Sequence, residues 1–328
     1  MKNFNMAAHP VAERSDLFRA SLESGDLEGI KRVPKADLHC HGTLGMRFSS
    51  LKKILGDELI APPTAFGGPS GFFNWTAVAV RPFATQSRYA EALLSATIED
   101  AIEDGISVIE ASIDLGVGHG WSSPKGIICL AAKLRDRYAK AIRVKPEIGI
   151  KKDANPAAEG SFILDLVRSG AFESIDLYGP EMSPFLLGRW KSVYQAAAAS
   201  GLKLKAHFGE FEGPLGLRYA IQSLGVTSVQ HGIGFSRSKR ALSWAAEAGI
   251  TCNVCPASNV SLGAAQPIAS HPIRKMYDAG LKISIATDDL VAFGSSVSEQ
   301  YLELHKAKVF TAEELDRIRI MGLEEGAR

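Results

Sequence analysis

Eight short apolar runs of strand character recur along this chain, and stretches of helical periodicity fill most of the gaps between them. The runs are KADLHCH (35–41), ISVIEASID (106–114), RVKPEIGI (143–150), ESIDLYG (173–179), LKLKAHFGE (202–210), TSVQHG (227–232), ITCNVCPAS (250–258) and KISIATDD (282–289). Segments such as YAEALLSATIEDAIEDG and RWKSVYQAAAASG place apolar residues at helical spacing and end on a glycine, as helix stop signals do. Strands joined through helices cross over right-handedly and pair in parallel, and eight such units suffice to close the sheet on itself. The expectation is an α/β fold, a (β/α)8 TIM-type barrel over residues 31–328, preceded by an N-terminal helical arm at 1–30. A doubly wound open sheet is the competing architecture. It loses ground because no G-x-G-x-x-G follows the first run, and AFGGPSGFF (65–73) lacks the Lys-Ser/Thr of a phosphate-cradling loop. That stretch reads instead as a mobile loop, in a long insertion lying over the catalytic face of the barrel.

Barrel active sites gather at the C-terminal ends of the strands, so the polar residues there decide the chemistry. The first run ends in His39 and His41, which leave the same face of an extended chain. The fifth ends in His207 followed by Glu210, the sixth in His231, and the eighth in Asp288 and Asp289. Three imidazoles and a carboxylate suit zinc or another borderline first-row metal, with His39, His41, His207 and Asp288 as the expected ligands. A divalent cation held there lowers the pKa of water from about 16 toward about 7, which supplies a nucleophile at neutral pH. A bridged metal pair would usually want a further carboxylate or a modified lysine at the fourth run; SIDLYGPE offers no lysine there, so one Zn2+ per chain is expected. His9, His119, His271 and His305 are assigned no role in this site.

The balance of 37 basic against 36 acidic residues, a net charge of +1, gives no reason to expect nucleic acid or a membrane surface as partner. The polar start MKNFNMAAHPVAERSDLF lacks the apolar core of a signal peptide, so a cytoplasmic protein is expected. Four cysteines are too few for a disulfide scaffold, and Cys252 and Cys255 read as buried thiols that a strand would send to opposite faces. Oligomeric state is left open.

In order along the chain, ADLHCH, KAHFGE, VQHGIGF, CPASN and ATDD resemble the signature blocks of the adenosine deaminase family within the metal-dependent amidohydrolases. The resemblance runs from about Lys31 to the C-terminus. It implies a zinc-containing barrel that hydrolyses the exocyclic amine of a small-molecule, purine-like substrate and releases ammonia. By position it implies the same four ligands, with Glu210 as proton donor to a ring nitrogen and His231 orienting and helping to deprotonate the water beside Asp288. Asp289 is similar to the residue that bonds a nitrogen of the imidazole ring of the purine, and Gly179 to one whose backbone N–H meets a ring nitrogen. Two departures bear on the substrate. Gly42-Thr43-Leu44 replaces the usual Leu-Asp-Gly, which puts Thr43 where an aspartate contacts the sugar, and EASIDLG replaces Glu-x-Arg in the second run. Adenosine or a related nucleoside is the first expectation. A different amine-bearing heterocycle (a modified adenine, a nucleotide or a pterin) and a non-catalytic purine-binding barrel are the alternatives. A nucleotide would need a basic group near the mouth, for which Arg47, Arg81 and Arg88 are candidates.

Overall fold

Parallel pairing in strict sequence order organises the molecule, a computed structural model that describes residues 11–117, 123–180 and 182–328. The strands are Lys35–His41 (β1), Ile106–Asp114 (β2), Arg143–Lys151 (β3), Ser174–Tyr178 (β4), Lys203–Phe208 (β5), Ser228–His231 (β6), Thr251–Val254 (β7) and Lys282–Ile285 (β8). The first and last meet through a bridge between Cys40 and Asp288, where the His41 N–H donates to the Asp288 carbonyl (3.2 Å) and the Asp288 N–H to that of His39 (2.9 Å). The expected (β/α)8 barrel is therefore present, and its closure seats the β1 histidines against Asp288. The later strands stop short of the apolar runs because the backbone turns sharply at their ends. His231 and Asp288 hold φ values of 62° and 63°, a left-handed conformation uncommon outside glycine and concentrated at functional sites. Cys255 likewise lies beyond the end of β7, not on it.

The lumen differs from the layers of branched apolar residues that usually fill such barrels. Lys205 is fully buried there; its Nζ lies 2.6 Å from Glu147 Oε2 and 2.9 Å from Glu110 Oε2, and donates to the Leu38 carbonyl at 2.8 Å. Ser174 donates to Glu147 (2.7 Å), and Asn253 joins Gln230 (2.7 Å) to Ser284 (2.8 Å). The apolar residues of these strands, such as Leu204, Ala206 and Phe208, pack in the main hydrophobic core with the surrounding helices.

The insertion after β1 forms a second apolar cluster that includes Leu44, Met46, Phe66, Phe72 and Trp75, joined by Leu262 from beyond β7 and Val291 from beyond β8. The expected loop at 65–73 is corrected here: Pro69 opens a helix, Pro69–Ala79, in the first-turn position that proline favours. Glycine masks that helix in the sequence. A Cβ on Gly71 would lie 1.9 Å from the Phe66 carbonyl oxygen, so the turn that leads in requires a glycine there. Residues Val11–Ser24 and Leu27–Lys31 form helices whose Phe18 ring meets Tyr301 edge-on at 5.3 Å, while Arg319 bonds both Ser15 and the Pro34 carbonyl. Among the described residues no helix is long and apolar enough to cross a membrane.

His271 is buried just before the helix Ile273–Asp278 and accepts the Ile273 N–H at Nδ1 (3.1 Å). Burial lowers its pKa from 6.5 to about 4. Between those values the unfolded chain binds a proton that the folded chain refuses, so stability present above pH 6.5 is lost as the pH falls toward 4. The effect is at most about 3 kcal/mol. His271→Asn is expected to flatten this acid limb, measured by urea unfolding across that range; an unchanged slope would assign the limb to other groups.

Candidate active site

Three imidazole nitrogens and one carboxylate oxygen converge at the C-terminal mouth of the barrel. His39 Nε2 lies 3.0 Å and His41 Nε2 3.3 Å from His207 Nε2, and each of the β1 nitrogens is 3.4 Å from Asp288 Oδ1. Nitrogen lone pairs this close repel unless a proton or a cation lies between them. Ligands at about 2.0–2.1 Å from a tetrahedral zinc are separated by about 3.3 Å, so these spacings match the edges of such a shell. Two overlapping donor sets, His39, His207, His231 and Asp288, and His41, Asp288 and Asp289, each fall within 4.8 Å of one another. His39, His41, His207 and Asp288 hold the 3.0–3.4 Å contacts given above, and His231 Nε2 lies 3.9 Å from Asp288 Oδ2.

The second nitrogen of each candidate ligand also has a neighbour. His41 Nδ1 is 2.8 Å from Asp114 Oδ2, His207 Nδ1 is 2.8 Å from Asp176 Oδ2, and His39 Nδ1 is 3.2 Å from Cys255 Sγ. Outer groups of this type fix ring orientation and tautomer at metal centres. Burial and the neighbouring imidazoles push the pKa values of His39 and His207 down, which favours the neutral form that a cation needs. On His41 burial acts in the same sense but is outweighed by Asp114, Asp289 and Asp288, and its pKa is raised. The residues present fit a single divalent cation.

His41, His207, His231, Glu210, Asp288 and Asp289 all line one cavity of about 750 Å³. Glu210 Oε2 is 3.6 Å from His231 Nε2, which is 3.9 Å from Asp288 Oδ2; Ser258 donates to that same oxygen at 2.6 Å. Burial raises the pKa of both aspartates, and Asp289 Oδ1 has no hydrogen-bond partner among the described residues. Gly179 sits at φ 99° in the cavity wall, where a Cβ would press on Lys151 at 3.2 Å. Thr43 departs from expectation. It is fully buried, its Oγ1 has no partner among the described residues, and it is not part of the cavity wall, because the chain folds back after His41 and presents Leu44 instead.

Of the three arginines considered, Arg81 reaches the cavity, together with Lys151 and Lys152 from the end of β3. Arg47 pairs with Glu299, and Arg88 lies over the Tyr89 ring beside a separate recess. His271 is buried away from these groups, His305 lies in the helix Val297–Lys306, and His9 and His119 fall outside the described residues. The sequence assigns no role to Asp114, Asp176 or Asn259 and marks Cys255 only as a buried thiol. The first two do stand on β2 and β4 in line with the other strand-end groups, which was the available signal.

A family model described as adenosine deaminase matches residues 139–327. A putative adenosine/adenine deaminase of Treponema pallidum (strain Nichols) is 34% identical over 286 residues, covering 87% of this chain and 95% of that protein. Among solved structures, an adenine deaminase from Arthrobacter aurescens superposes with a TM-score of 0.75 at 21% identity, over 89% of this chain and 93% of that one. A cog1816 amidohydrolase from Burkholderia ambifaria with bound Zn gives 0.73 at 21% identity, over 98% and 89%.

Proposed function

From the premise that this chain belongs to the adenosine deaminase family, and is thus a hydrolytic deaminase acting on C–N bonds, we propose that it removes the exocyclic amine of an aminopurine, with adenosine as the first substrate. The observation that carries this reading is the convergence of three Nε2 atoms and a carboxylate beside Glu210 and His231 in one cavity. Zinc is the proposed metal, one per chain, held by His39, His41, His207 and Asp288; a related fold carries it. When bound, it supplies the Lewis acidity that makes water acidic enough to lose a proton near neutral pH.

The remaining steps fall to side chains. Glu210, as the carboxylic acid, gives its proton to a ring nitrogen and so draws electron density from the amine-bearing carbon. The water oxygen bonds to that carbon while its first proton passes to the Asp288 and His231 pair. That proton then goes to the amine, the C–N bond breaks, and ammonia leaves; the remaining hydroxyl proton returns to Glu210 as the carbonyl forms. Asp289, whose pKa burial raises, donates in its protonated form to a nitrogen of the five-membered ring. Gly179 offers its N–H where a side chain would hold the ring away. Leu44, Phe72, Phe73, Val80 and Leu262 supply apolar wall and exclude water.

A second reading, a nucleotide substrate, is favoured by Arg81 and Lys151 in the cavity wall. Ammonia release from adenine, adenosine and adenosine 5′-monophosphate, with zinc content measured on the same sample, tests both. About one zinc per chain and turnover of at least one of the three is expected; metal-free, folded, inactive protein would favour the non-catalytic barrel. If the nucleotide is the substrate, Lys151→Ala should raise its KM by about tenfold, the loss of one charge-assisted contact. Adenosine KM should then stay within about twofold. Equal KM changes for both would end the nucleotide reading.

A further inference from the structure

Asn259 stands in the helix Pro256–Ser261, just beyond β7, and is fully buried between the two groups assigned to proton transfer. Its Nδ2 lies 3.1 Å from His231 Nδ1 and 3.5 Å from Glu210 Oε1, while its Oδ1 has no partner among the described residues. Turning the amide over would set a carbonyl oxygen against the Glu210 carboxylate and leave two N–H donors where one acceptor now goes unmatched. The present orientation is therefore the better satisfied of the two. An N–H aimed at Nδ1 needs the lone pair there, and in a neutral imidazole this leaves the proton on Nε2. That nitrogen faces Glu210 Oε2 at 3.6 Å and Asp288 Oδ2 at 3.9 Å.

We propose that Asn259 is a positioning residue that fixes His231 as the Nε2–H tautomer and steadies Glu210 through its second N–H. The inference rests on the deaminase reading above and sharpens it. With its proton on Nε2, His231 turns a donor, not a lone pair, toward the carboxylates, so the first water proton goes to Asp288 and His231 acts by orienting. Asn259 has no reacting atom of its own. Its effect passes through the two side chains it bonds, and it should appear in kcat more than in KM.

The test is nitrogen NMR of zinc-loaded protein labelled with 15N-histidine, the His231 signals being assigned by their loss in His231→Gln. The wild type should show His231 with a bare Nδ1 and a protonated Nε2. Asn259→Asp replaces the donor with an acceptor and should reverse that pattern, lowering kcat by about 10- to 100-fold, the usual cost of an outer-shell partner, with KM within about twofold. Asn259→Leu should yield a mixture of tautomers and a similar fall in kcat. A wild-type His231 protonated on Nδ1 would overturn the proposal even if neither variant folds, and so would an Asn259→Asp protein with unchanged tautomer and kcat. The tautomer is read without turnover, so a wild type that deaminates none of the aminopurines would count against the deaminase reading alone.

Discussion

Glu210→Gln is expected to lower kcat for aminopurine deamination by about 10²- to 10⁴-fold while leaving zinc content unchanged. Glutamine matches the shape of the acid and can still accept from Asn259, which lies 3.5 Å from Oε1. It has no acidic proton to give. The proposed ligands are His39, His41, His207 and Asp288, so on that assignment the substitution removes proton donation without removing a ligand. The fall corresponds to about 3–5 kcal/mol of transition-state stabilisation, with little change in KM, because the ring is held mainly by other walls of the cavity. Steady-state ammonia release and metal analysis on one preparation check both halves. Activity within tenfold of wild type would remove Glu210 as the acid, whereas loss of zinc would move it into the ligand set.

The barrel was legible because its strands carry two messages at once. In LKLKAHF, alternate residues face the helices and the lumen, and the outward Leu204, Ala206 and Phe208 gave the strand signal. The inward Lys203, Lys205 and His207 were read differently from one another: the histidine, at the strand end, as chemistry, and the lysines not at all. Alternation reports which residues share a face and says nothing of whether that face meets solvent or a polar lumen. The four residues proposed as ligands stand out in the sequence for a related reason, since they lie at or just beyond the ends of strands that topology must bring together. Their supports do not. Asp114 and Asp176 lie in runs of strand character, but a single aspartate in a strand does not name the imidazole that the fold sets 2.8 Å from it. Cys255 was read as a strand thiol, but β7 ends at Val254 and the next residue turns toward His39. The cap over the mouth was obscured in the opposite way, because glycines needed for close backbone approach at Gly71 imitate a loop.

Lys205→Met should be the most damaging substitution away from the reacting groups, lowering stability by about 3–5 kcal/mol in urea unfolding near pH 8. Methionine fills much the same volume, so the loss is electrostatic. Glu147 would keep only Ser174 of its short contacts, and Glu110 would keep Lys145 at 3.1 Å and Lys203 at 3.5 Å. Glu147 sets the pH dependence. Burial, offset in part by Lys205, raises its pKa from 4.5 to about 7. A raised carboxyl stabilises the fold fully below its unfolded pKa, and that contribution is lost as pH rises through the folded value. Removing the lysine takes away the main force holding this pKa down, so the variant should be least stable above pH 7 and recover part of its loss near pH 6. Adding Glu147→Gln should restore part of the stability at pH 8, since an uncharged amide needs no counter-ion; a double variant no better than the single would place the damage in the Leu38 carbonyl contact instead. That contact links the network to the site, because Leu38 precedes His39 and Lys205 lies two residues before His207 on β5.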